Sequence, residues 1–335
     1  MTDVGNPLER VLGTQLPSEG RRIVLKDIPY VVRGGILRQE KLIAAVQQDI
    51  ADFYDVHWKE PGAYDYEASD RFQTELFRAM FPGFEENVLT QAANGALVLD
   101  VGCGSGVAGR AYFRPVFDRI DYIGVDMSSA IEQAKSDFAG LGKRVGLIQA
   151  ELTSLPFADE TFDFVFCPGV LHYTLDMREA ITNLARLLKR GGRFITWIYT
   201  RQGPIRRLTD DYLRSVVSGM DPREAIEAVK PLTELGIALG KIDRELEIPS
   251  DIPILGIKKG KYNLQRFFYY HIMKLFYNPD LPFMRQVINN LNAYYPKHVL
   301  FLPPEEIRSY FLDLNMKIEG WSEQGNGLGI VATKG

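Results

Sequence analysis

Cysteine is scarce in this chain: its 335 residues include two, Cys103 and Cys167. Two thiols build neither a disulfide framework nor a thiolate cage, and the four histidines are scattered, so no metal site is expected. Long apolar runs are missing as well. No stretch approaches the roughly 20 uninterrupted apolar residues of a membrane span, and "MTDVGNPLER" lacks the apolar core of a secretion signal. A cytoplasmic location without integral membrane association is the expectation. Nor does one charge dominate: 39 basic against 43 acidic residues give a formal net charge of −4, hence no chain-wide attraction to nucleic acid or anionic lipid. What is plentiful is material for a core, since 46% of the residues are hydrophobic.

From residue 96, short β-branched runs alternate with helical patterns, the signature of crossover units that build a parallel sheet. "ALVLDV", "DYIGVD", "VGLIQA", "FDFVFCP" and "GRFITWIYT" read as strands. Before the last of these, Met177, Ile181, Leu184 and Leu188 recur at helical spacing, with Lys189 and Arg190 suited to the helix C-terminus and Gly191 to its stop. After Thr200 the alternation breaks, and about 100 residues of helical, proline-punctuated sequence intervene. "PPEEIRSYFLDLN" then reads as a helix, and "MKIEGWSE" with "NGLGIVATK" as a terminal hairpin completing the sheet. The expected division is a separate N-terminal region, residues 1–95, a sheet domain of residues 96–200 and 303–335, and a helical insertion, residues 201–302. In the first, "RRIVLKDIPYVVRGGILR" suggests a hairpin around Gly34 and Gly35, and "KLIAAVQQDIADFYDVHW" a helix.

"LVLDVGCGSGVAGR" holds two nucleotide-binding patterns at once. From Gly104 it is G-x-G-x-x-G (Gly104, Gly106, Gly109), the dinucleotide fingerprint; from Asp100 it is D-x-G-x-G-x-G, with Gly102, Gly104 and Gly106. Asp126 closes the second strand about 20 residues on, where a carboxylate accepts ribose hydroxyls in either reading. The loop alone leaves both open.

Four further stretches, in order and spacing, widen the comparison: "YIGVDMSSAIEQAK", "LIQAELTSLPFADETFDFVFCPGVLHY", "LKRGGRFITWIY" and, less strongly, residues 303–335. With "LVLDVGCGSG" they resemble the class I S-adenosylmethionine-dependent methyltransferases. The resemblance implies a Rossmann-like, doubly wound α/β sheet of seven mostly parallel strands in the order 3-2-1-4-5-7-6, the seventh antiparallel, with the insertion between strands 5 and 6. It implies S-adenosylmethionine as cofactor. Gly102, Gly104 and Gly106 would lie against its methionine half, and Asp100 would hold the loop and meet its ammonium. Asp126 would take the ribose hydroxyls, Met127 the adenine face, Glu151 the adenine amino group and Leu152, through its backbone, the ring. Cys167 would line the methionine portion, and Tyr54 resembles an N-terminal tyrosine that closes over the cofactor.

Methyl transfer from a sulfonium is an in-line displacement, for which a protein supplies alignment and desolvation. An acceptor oxygen or protonated nitrogen must also lose a proton, and a histidine suits that task. His172, in "PGVLHY" after the fourth strand, is the first candidate, with Tyr173 beside it. The apolar "RFFYYHIMKLFYNP" and the tyrosines of "NNLNAYYPKHVLFLPP" call for burial, either as the insertion's own core or lining an acceptor pocket through His271, Tyr270, Tyr294 or Tyr295. Lys258, Lys259 and Lys261 read as a solvated face or an anion contact. "DIPYVVRGGILR" resembles the segment after a zinc ribbon in some methyltransferases, here without the cysteines, and would pack beside the acceptor or between subunits of a homodimer. The expected activity is methyl transfer to a small-molecule acceptor, aromatic or hydrophobic, and not to nucleic acid. A nicotinamide-dependent oxidoreductase and a cofactor-binding protein without transfer activity stand as alternatives.

Overall fold

A computed structural model describes residues 6–41, 66–81, 83–84 and 88–335. Helix α1 (Pro7–Leu12) starts where the Asn6 side chain accepts the N–H of Leu8, and it stops at Gly13 in the left-handed conformation. Strands β1 (Arg22–Leu25), β2 (Ile28–Arg33) and β3 (Ile36–Gln39) form an antiparallel meander. Its turns, Lys26–Asp27 and Gly34–Gly35, take positive φ at both residues, as two-residue hairpin turns demand. The expected hairpin is thus present and one strand longer. The helix expected over residues 41–58 lies, but for Lys41, outside the described residues.

Helix α2 (Tyr66–Met80) leads to β4 (Ala96–Val101), buried at every position, as an apolar strand covered on both faces must be. The alternation follows: α3 (Val107–Phe113), β5 (Ile120–Asp126), α4 (Ala130–Phe138), β6 (Val145–Gln149), β7 (Phe162–Pro168), α5 (Met177–Arg186) and β8 (Leu188–Tyr199). Helix α5 ends earlier than expected. Lys189 instead lies in β8 and places its ammonium 2.9 Å from both carboxylate oxygens of Asp163, a partner that outcompetes a helix-end dipole.

The insertion comprises α6 (Pro204–Val217), α7 (Pro222–Ile242), a ribbon of β9 (Glu245–Ile248) and β10 (Gly260–Asn263), the short α8 (Leu264–Phe267) and α9 (Phe283–Tyr294). "RFFYYHIMKLFYNP" is not one buried helix. It makes a single wide turn over 268–272, closed by the Met273 N–H on the Phe268 carbonyl, and Met273 is extended. Helix α10 (Pro304–Asp313) and the hairpin β11 (Met316–Gln324) and β12 (Gly327–Lys334) finish the chain as read from sequence.

The main sheet runs β1-β2-β3-β6-β5-β4-β7-β8-β12-β11. Its last seven members have the expected order, with β12 antiparallel to both neighbours. Among the described residues the sheet holds ten strands, because the N-terminal meander extends it by three. It joins the edge where β3 runs parallel to β6, with Leu37 opposite Ile148 and Arg38 opposite Gln149.

Side chains alternate across the sheet, so β4 feeds two cores. Leu97, Leu99 and Val101 pack with Leu8 of α1, Ile181 and Leu184 of α5, and Ile307 and Phe311 of α10. Ala96 and Val98 pack with Phe77 of α2, Tyr112 and Phe113 of α3, and Ile131 of α4. A third core lies wholly inside the insertion, where Val217, Ile226, Val229, Val287, Ile288, Leu291 and Tyr294 join α6, α7 and α9.

Candidate active site

The loops beyond the carboxyl ends of β4 to β8 enclose a cavity of about 620 Å³, within the range of about 300–1,000 Å³ usual for small-molecule sites. Its floor begins at Gly102, Cys103 and Gly104, and continues through Asp126, Met127 and Ser128 after β5 and Ala150 and Leu152 after β6. Its far wall is Pro168, Gly169, Val170, His172 and Tyr173 after β7, with Trp197 and Tyr199 of β8. Phe72, Leu76, Phe77 and Met80 of α2 close one side, and the insertion supplies a roof that includes Tyr269, Tyr270, Lys274 and Arg285.

The glycine loop is tied down by Asp126. One carboxylate oxygen accepts the Gly104 N–H at 2.7 Å; the other accepts the Ser128 N–H at 2.8 Å and its hydroxyl at 2.6 Å. Gly102 has φ of +72°, and a Cβ there would overlap Val170. The Gly109 position is set by packing, not by a ligand: a Cβ would overlap the Tyr122 hydroxyl and the Asp100 carboxylate. The N-terminal meander braces the opposite loop. Arg38 donates to the Gln149 side-chain oxygen at 2.6 Å, and the amide of Gln149 donates to the carbonyls of Met127 and Ser128. Gln39 accepts the Glu151 N–H at 3.1 Å.

At the far wall, His172 is fully buried, and its Nδ1 accepts the backbone N–H of Tyr199 at 3.2 Å. Burial first, and the Lys274 charge second, hold its pKa well below the usual histidine value. A neutral imidazole whose Nδ1 accepts carries its proton on Nε2. Tyr173 donates its hydroxyl to the Asn292 carbonyl at 3.3 Å. Tyr199 stacks its ring 4.0 Å from that of His172, and burial raises its pKa.

The residues of the glycine loop fall in a stretch, 99–196, that matches the model of a family described as methyltransferase domain. Residues 99–196 thus carry a methyltransferase domain. The chain is 32% identical over 134 residues to the uncharacterized methyltransferase YcgJ of Bacillus subtilis, covering 39% of this chain and 51% of that protein. To the malonyl-[acyl-carrier protein] O-methyltransferase of Legionella pneumophila it is 27% identical over 143 residues, 42% and 47% of the two chains. The chain thus spans about half the length of these curated relatives. A solved S-adenosylmethionine-dependent methyltransferase from Aquifex aeolicus overlays with a TM-score of 0.40 at 14% identity, covering 80% of this chain and 98% of that one.

Within this methyltransferase domain the structure brings Gly102, Gly104, Asp126, Met127, Leu152, His172 and Tyr173 onto one cavity. It leaves five others off the cavity lining. Asp100 turns beneath the loop, where Tyr122 donates to it; burial, opposed by that hydrogen bond and aided by the Asp126 charge, raises its pKa to about 7. Gly106 faces Phe138, and Cys167 is sealed in the core with its thiol pKa pushed up by burial. Glu151 is buried near Tyr30, whose pKa its charge helps raise. His271 packs on Phe267 and Tyr262, away from the cavity. Tyr54 lies outside the described residues. Tyr294 and Tyr295 bond to backbone within the insertion, and the Lys258 side chain is 82% exposed, a solvated face.

Two contributors escaped the sequence reading. Phe72, Leu76 and Met80 stand at i, i+4, i+8, a spacing that marks a helix face. Lys274 is masked by its apolar neighbours. Among the described residues no cluster of three or more His, Cys, Asp or Glu could hold a metal, and no helix is long and apolar enough to cross a membrane.

Proposed function

We propose that the protein transfers the methyl group of S-adenosylmethionine to a small-molecule acceptor held beneath the helical insertion. One observation carries the reading: a single cavity is continuous from the glycine loop of the methyltransferase domain to the roof built by residues 201–302. The division into residues 1–95, 96–200 with 303–335, and 201–302 belongs to the same proposal, with the meander of the first serving as a brace.

The charge pattern fits the cofactor. Asp126 lines the floor, and Asp100 beneath it keeps one buried carboxylate oxygen without a hydrogen-bond partner. The Asp126 charge raises the cost of ionising Asp100, and such a pair suits a cationic ligand and opposes a pyrophosphate. Bound there, S-adenosylmethionine supplies a methyl group activated by a positive sulfur. Gly102 and Gly104 would carry its methionine half, Asp126 the ribose hydroxyls, and Met127 and Leu152 the adenine.

The chain's own share is positioning and exclusion of water. Phe72, Leu76 and Phe77 wall the cavity with apolar surface, and the Nε2–H of His172 is a donor for an acceptor oxygen, not a base. A relative named a sterol 24-C-methyltransferase supports a small hydrophobic acceptor. Calorimetry with S-adenosylhomocysteine and with NAD tests the donor site. Binding of the nucleoside alone, followed by transfer of labelled methyl to candidate acceptors, is the expected result; binding of NAD alone would overturn it.

A further inference from the structure

Lys274 is 5% exposed and lines the cavity roof. It lies two residues beyond the wide turn, and its backbone is fixed on both sides: its N–H donates to Asp210 at 3.4 Å, and its carbonyl accepts the Tyr294 hydroxyl at 2.6 Å. The backbone of Lys274 is therefore held in place by bonds that do not involve its charge. Its Nζ sits 3.5 Å from the hydroxyl of Tyr199, which lines the same cavity.

An ammonium has three hydrogens to donate, and a buried one is costly unless an anion meets it. Among the described residues no carboxylate stands within 4.0 Å of this Nζ. The acid of the region, Asp210, gives one oxygen to Arg206 Nε at 2.6 Å and the other to the Lys274 backbone. Burial accordingly lowers the Lys274 pKa from its ordinary value. Among the described residues Arg266 also lines this half, whereas the carboxylate of the lining, Asp126, belongs to the glycine-loop end.

We infer that the acceptor is a small organic acid whose carboxylate docks on the ammonium of Lys274 beside the Tyr199 hydroxyl. This deepens the methyltransferase reading and rests on it. One ammonium matches one negative charge, Tyr199 offers a second polar contact, and the apolar α2 wall takes the rest of the molecule. Lys274 is a binding residue here and takes no part in the transfer itself.

The test uses the full chain with S-adenosylhomocysteine present. Benzoate, 2-naphthoate, 4-hydroxycinnamate and decanoate are each titrated against their primary amides by calorimetry. At least one acid is expected to bind about 10- to 100-fold more tightly than its amide, the range of a charged hydrogen bond. In Lys274→Met that preference disappears and in Lys274→Arg part of it returns, while S-adenosylhomocysteine affinity is unchanged and thermal stability is equal or higher, since a buried charge has been removed. Acids that bind no better than their amides, with S-adenosylhomocysteine binding intact, overturn the inference and leave the methyltransferase reading standing. Loss of S-adenosylhomocysteine binding in the wild type would instead sink that reading, and this inference with it.

Discussion

The backbone N–H of Tyr199 points at Nδ1 of His172 across 3.2 Å, and that one bond decides what the histidine can do. With Nδ1 occupied as an acceptor, the ring presents a proton, not a lone pair, to its other side. We predict that His172→Gln, which keeps a side-chain N–H donor, retains more turnover than His172→Ala, and that the wild-type rate profile has no acid limb that both variants lose. An acid limb present in the wild type and lost in both variants would restore the histidine as a base.

The same residue shapes acid stability. Its folded pKa lies below the unfolded value of about 6.5, so the unfolded state binds more protons between the two. The histidine's contribution is fully present above pH 6.5 and is lost as pH falls toward the folded value. Chemical denaturation of wild type and His172→Gln between pH 7.5 and 5 should show the steeper loss in the wild type; parallel curves would contradict the burial.

Asp100 works in the opposite direction. Its pKa is raised from 3.8 to about 7 by burial, so its contribution is present below pH 3.8 and is lost as pH rises through about 7. Asp100→Asn should therefore gain on the wild type between pH 5 and 8 by at least about 1.4 kcal/mol, the equivalent of one pKa unit. Equal pH slopes in urea melts of the two proteins would place this carboxylate in a wetter setting than the one described.

Asp126 has two duties, bracing Gly104 and lining the cavity. Asp126→Ala is expected to weaken S-adenosylhomocysteine binding by about 1.5–3 kcal/mol through loss of charge-assisted hydrogen bonds. Unchanged affinity in calorimetry would remove it from the donor site.

The meander offers a remote test. Arg38 reaches the loop after β5 through Gln149, so Gln149→Leu should lower S-adenosylhomocysteine affinity about threefold to tenfold with the fold intact, about 0.7–1.4 kcal/mol for lost hydrogen bonds. If cofactor affinity in Gln149→Leu equals that of the wild type, the meander is only an edge for the sheet.

The strands from 96 to 200 were legible because a strand buried on both faces must be almost wholly apolar, and "ALVLDV" and "FDFVFCP" are each interrupted by a single aspartate. The attachment of β3 to β6 was not, since two residue pairs more than 100 positions apart leave no local pattern. Gly102, Gly104 and Asp126, read from spacing, stand on the cavity. Glu151 and Cys167 stand off its lining, because the direction of a side chain at a strand end depends on what packs behind it, here Tyr30 and the core under α5. Lys274 shows a different failure: one charge in "FFYYHIMKLF" is lost in a composition average, although a lysine kept amid so many apolar residues is itself a signal.

The insertion closes around Val229, Ile288 and Leu291 without borrowing from the cores that hold the sheet. Roof and floor thus pack under separate constraints. A roof residue such as Lys274 could be exchanged for one that welcomes a different guest without repacking the sheet below.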